Sequence, residues 1–172
     1  MARPDPPRVP EHLVPAEDLG VGSVIDLGTY VVSREEILDF ATQWDPLPIH
    51  VDDEAAASGP FGEVIASGLH TLSLFQRLTV ERAFGRWAVV AGRELRQVRF
   101  RAPVRAGAII SGTLTVEAVE PTRPDRSLVT VAGVLRAGDA EVLTLVLDVY
   151  VRRRNNAPSE TRRPDPTRSG PL

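Results

Sequence analysis

The sequence predicts an α+β fold in which an antiparallel sheet wraps round one enclosed helix, and three observations carry that expectation. Ile110, Gly112, Leu114, Val116 and Ala118 alternate with Ser111, Thr113, Thr115 and Glu117. Leu143, Leu145, Leu147, Val149 and Val151 repeat the two-residue period of a strand. Turn residues cluster at Ala102-Pro103 to Gly107, at Pro121 to Asp125 and at Ala137-Gly138-Asp139, and such short connections join antiparallel strands. From Ser67 to about Phe84, finally, Leu69, Leu72, Leu74, Phe75, Leu78 and Val80 leave little of the first three turns polar, as in a helix enclosed by protein.

The remaining elements follow in chain order. Residues 1–18 hold Pro4, Pro6, Pro7, Pro10 and Pro15 and read as a disordered tail; residues 153–172 read the same way, which leaves one domain over 19–152. Val24 to Val32 form a strand. Ser33-Arg34-Glu35-Glu36 is a capping box, and the helix behind it, with Ile37, Leu38, Phe40 and Ala41 on its apolar side, must stop before Pro46 and Pro48. Asp45 therefore lies just past a helix end. Ala55 to Ala57 suggest a helical turn, Ser58-Gly59-Pro60-Phe61-Gly62 a loop, Ser127 to Arg136 a strand, and Arg93 to Arg101 a weaker one.

Composition narrows the function. With 42% hydrophobic and 25% charged residues, the chain can bury one core, and a net charge of -3 with interspersed signs argues against a nucleic-acid partner or a basic membrane face. Absence of cysteine excludes disulfides, thiolate nucleophiles and thiolate metal ligands. All 20 basic residues are arginine, which excludes a lysine Schiff base. No apolar leader and no run of about eighteen apolar residues is present, so we expect a cytoplasmic location.

Chemistry concentrates at Asp45-Pro-Leu-Pro-Ile-His50 and Ser67-Gly68. A carboxylate and an imidazole can jointly hold a water and move its proton. The unpaired N–H groups at a helix start can hold an oxyanion. Each residue also has a plain structural use: Asp45 as a turn residue, His50 as a backbone-bonded histidine, Ser67 as a helix cap rather than a nucleophile, since there is no Gly-x-Ser-x-Gly elbow. His70 is expected in the core and His12 in the solvated tail. The acidic run Asp52-Asp53-Glu54 suits the start of the turn at Ala55 and offers no second His at ligand spacing, so no metal is expected. Arg152-Arg153-Arg154 reads as a solvated strand end in preference to a phosphate clamp.

Phe40, Asp45, Pro48-Ile49-His50 and Ala56, then Pro60-Phe61-Gly62 and Ala66-Ser67-Gly68, resemble the MaoC-like dehydratases and (R)-specific enoyl-CoA hydratases. The likeness continues through Val98-Arg99-Phe100-Arg101-Ala102-Pro103-Val104-Arg105-Ala106-Gly107 and covers roughly residues 20–152. The resemblance implies a hot-dog fold, a homodimer, and reversible hydration of trans-2-enoyl thioesters carried by CoA or acyl carrier protein, with no cofactor. Position by position, it makes Asp45 and His50 the catalytic pair and Gly68 the helix-start glycine whose amide faces the thioester oxygen. Arg99, Arg101 and Arg105 are candidates for CoA phosphates and equally for solvated positions. The sequence departs from the family at Trp44, where Gly is common, at Leu47, where Asn is common, and at Ala108, where Asp often stands. Two alternatives use the same fold: a non-catalytic acyl-thioester-binding or partner subunit, and a thioesterase.

Overall fold

The computed structural model describes residues 12–154. Five strands form one antiparallel sheet: β1 (Val24–Val31), β2 (Val89–Phe100), β3 (Ile109–Arg123), β4 (Arg126–Ala137) and β5 (Ala140–Arg152). Their spatial order is β1-β3-β4-β5-β2, so β1 and β2 are the edges. Between β1 and β2 the chain builds α1 (Arg34–Trp44), α2 (Pro48–Val51), α3 (Asp53–Ala57) and α4 (Gly68–Thr79); a π-helical turn over Val80–Phe84 continues α4.

Alternation decides which face is covered. Along β4, Ser127, Val129, Val131, Gly133 and Leu135 are buried, and the residues between them are only half-buried. These residues pack with Leu27, Ile110, Leu114, Leu143, Leu145 and Val149 beneath Leu74, Phe75 and Leu78 of α4, so the sheet curves round that helix. Gly133 permits the closest approach: a Cβ there would overlap the Phe75 ring. The β4–β5 hairpin turns at Gly138, whose φ of 57° is the left-handed region that glycine enters without strain. This is the expected α+β architecture, a helix held in an antiparallel hot-dog sheet.

Several local expectations need correction. Leu69 and Val80, expected among the enclosed residues of the central helix, are exposed. Only half of the capping box forms. Ser33 Oγ accepts from Glu36 N–H at 3.1 Å, but the Glu36 carboxylate turns inward and accepts from Tyr30 Oη at 3.0 Å. Part of the predicted N-terminal tail is packed: Val14 bridges to Trp87 and Ala16 is fully buried. Arg153 and Arg154 are engaged there as well, donating to Glu17 and Asp18, so they close the strand end onto the N-terminal segment. The rest of both predicted tails, 1–11 and 155–172, lies outside the described residues. Among the described residues no helix is long and apolar enough to cross a membrane.

Candidate active site

Two prolines and a helix end set the position of Asp45. Its N–H still donates to Ala41 O at 2.9 Å, but Pro46 and Pro48 have no N–H to extend α1. The backbone breaks, and Pro48 opens the single turn of α2, a position that its fixed φ suits. His50 lies in that turn and is buried. A backbone clip fixes it: Ile65 N–H donates to Ile49 O at 3.2 Å, and His50 Nδ1 lies 2.8 Å from Ile65 O.

The clip also fixes the tautomer. A carbonyl only accepts, so Nδ1 carries the proton and Nε2 of the neutral ring presents a lone pair. That Nε2 is 3.6 Å from Asp45 Oδ2. With the ring in that neutral form, the two atoms face each other as acceptors and together offer a place for a donor such as water. Asp45 Oδ2 also accepts from Ser67 Oγ at 2.6 Å.

Ser67 caps α4, its Oγ accepting from Leu69 N–H at 3.1 Å. Gly68, the first residue of α4, presents an N–H that no carbonyl or side chain among the described residues accepts. The requirement for glycine there is steric: a Cβ would come within 3.0 Å of the Phe100 ring. His50 and Gly68 line a cavity of about 280 Å³ with Ile49, Phe61, Thr71 and Phe100 among its walls. Asp45 does not itself line this cavity; its Oδ2 lies 3.6 Å from Nε2 of His50, which does. The three predicted site residues are thus brought to one place.

Other candidates separate from it. His70 lies in the core, stacked on Phe40 with ring centroids 4.8 Å apart, and its Nε2 is 3.6 Å from Glu36 Oε1. Burial holds its imidazole below the ordinary histidine range, opposed in part by the Glu36 charge. Asp52 caps α3, accepting from Glu54 and Ala55 N–H, and Asp53 pairs with Arg34. Arg105 is tied to Glu63 and to Phe61 O. Arg101 lines the cavity with its long side chain in weak contact with Thr144. His12, Trp44 and Leu47 are exposed. Sequence reasoning missed the second bond of Ser67, because nothing local to a helix cap signals a partner 22 residues earlier.

A cavity lined by His50 and Gly68, at the start of a helix enclosed by an antiparallel sheet, defines a hot-dog protein with a pocket at its central helix. Residues 21–137 match the family model of the MaoC like domain. The chain belongs to this family. It is 36% identical over 142 residues to a 3-hydroxybutyryl-CoA dehydratase of Methylorubrum extorquens, covering 82% of this chain and 86% of the relative. It is 28% identical over 131 residues to an (R)-specific enoyl-CoA hydratase of Rhodospirillum rubrum, covering 74% and 89%. Among solved structures, the MaoC-like dehydratase from Rhodospirillum rubrum superimposes with a TM-score of 0.76 at 33% identity, covering 83% of this chain and 99% of that one.

Proposed function

We propose that this protein reversibly hydrates a trans-2-enoyl thioester, carried by CoA or acyl carrier protein, to the (R)-3-hydroxyacyl thioester. The observation that carries the proposal is the pair of facing acceptors, His50 Nε2 and Asp45 Oδ2, beside the Gly68 N–H. In the hydration direction the pair holds water between them, and its oxygen bonds to the β-carbon of the enoyl group. The electron pair of the double bond shifts towards the carbonyl oxygen, where the Gly68 N–H and the positive end of the α4 dipole stabilise the enolate. The proton that water loses passes to the Asp45–His50 pair and returns to the α-carbon, which balances the reaction without cofactor or metal. Names of the relatives and the family fold support this reading.

Crotonyl-CoA and longer enoyl-CoAs should lose their enoyl absorbance on addition of the protein, and chiral separation of the product should give the R form. Asp45→Asn and His50→Ala should each lower kcat by about two to four orders of magnitude with the fold retained. Absence of turnover on every chain length, with acyl-CoA still bound, would overturn the proposal.

Trp44 and Leu47, exposed and apolar on either side of Asp45, favour one second reading, a subunit that binds the thioester and completes another chain. Activity appearing only on mixing with that other subunit would establish it. We further propose that the protein works as a homodimer, because β2 is a long, open and largely exposed edge strand.

A further inference from the structure

We infer that Ser67 is a positioning residue, locking the Asp45 carboxylate to the start of the helix that carries Gly68. This rests on the hydratase reading above. A helix cap needs only an acceptor, and Ser67 Oγ supplies that to Leu69 N–H. Capping does not require the proton of the hydroxyl. That proton goes instead to Asp45 Oδ2, in a charge-assisted bond of 2.6 Å made by a side chain with no exposure at all.

The need for it is visible around Asp45. The segment that follows, Pro46-Leu47-Pro48, has no N–H at either proline and no polar side chain at Leu47. Among the described residues Ser67 is the side-chain donor that holds this carboxylate, which is otherwise a quarter exposed and able to rotate towards water. His50 has its own anchor in Ile65 O. The two members of the pair are thus held from separate sides, and Ser67 is the one group bonded both to the carboxylate and to the first turn of α4. It fixes the distance between the proton relay and the oxyanion donor, the geometry on which the rate of a preorganised site depends.

Ser67→Gly tests this, because glycine is nearly as good a cap as serine but has no hydroxyl. We expect kcat to fall about 10- to 100-fold with KM changed less than about twofold. In an Asp45→Asn background the same substitution should add less than about a twofold further loss, since its effect runs through the carboxylate. Losses that multiply in the double variant, or a change confined to KM, would overturn the inference. A crystal structure of Ser67→Gly should show the Asp45 carboxylate displaced from His50 Nε2, and a carboxylate that stays in place sinks the idea even if the protein proves inactive. Wild type without turnover counts against the hydratase reading alone.

Discussion

His70 and His50 are both buried, yet only His50 borders the cavity, and the difference assigns them different work. Around His70 stand the Phe40 ring and the Glu36 carboxylate from α1, with Tyr30 of β1 donating to the same Glu36 and Arg77 of α4 reaching Tyr30. Burial lowers the folded-state pKa of His70 below its unfolded value. The unfolded chain then binds the proton more readily, so this contribution to stability is present above about pH 6.5 and is lost as pH falls from there through the folded pKa. Urea midpoints should drop between about pH 7.5 and about pH 5.5, and His70→Gln should flatten that drop; an equal drop in the variant would assign it to other groups. Gly68 makes a second, steric prediction. Gly68→Ala pushes a methyl against Phe100 and should lower kcat/KM by about one to two orders of magnitude, measured on crotonyl-CoA. The placement of Asp45, His50 and Gly68 at helix ends was legible because neighbours mark it: prolines that end α1 and open α2, and a cap that starts α4. Glu36 was misassigned for the opposite reason. Its spacing from Ser33 fits a capping box, but a tyrosine on β1 competes for the carboxylate, and that contact exists only once the fold has formed.

Helix α4 is held close to the sheet by an absence of side-chain volume. Gly133 lies under the Phe75 ring, so the helix can sink onto the middle of the sheet, while Gly112 makes room for the strand side chains Leu27 and Leu135. Phe75 is 1% exposed and has no open direction in which to move. Gly133→Ala should therefore destabilise the protein by about 1–3 kcal/mol through overpacking, read as a lowered urea midpoint at unchanged m-value. A neutral result would mean that the helix can lift without cost. Strands β3, β4 and β5 were legible because each keeps one face in the core and so keeps its alternation. β2 was legible from Arg93 onward, with Val89–Gly92 missed. It lies at an edge with no fully buried position, its pairing with β5 shifts register three times, and Gln97 takes a φ of 53°, so no clear period survives. The π-helical turn over Val80–Phe84 is indistinguishable from helix in the sequence, since no residue type in Val80-Glu81-Arg82-Ala83-Phe84 breaks a helix.

The strand order could not be read from the chain, because both edges are chosen by contacts distant in sequence: β1 pairs with β3 across four intervening helices and strand β2, and β2 crosses to the far side of β5. That order bears on assembly. β1 is the shorter edge, eight residues against twelve, and offers a second chain less backbone to pair with. β2 runs twelve residues with Val90, Leu95 and Phe100 exposed, a free edge that a second copy could pair and cover. Equilibrium sedimentation at about micromolar concentration should give twice the 18.7 kDa chain mass. Leu95→Asp, which puts a charge in the middle of that edge, should shift the protein to monomer, whereas Thr29→Asp on β1 should leave it dimeric. A wild type that stays monomeric would overturn the dimer, and a Leu95→Asp variant that stays dimeric would move the interface elsewhere. Turnover supplies a further readout. Phe100, the last residue of β2, rests against Gly68 and lines the cavity, so in the proposed dimer kcat should fall together with the dimer fraction on dilution.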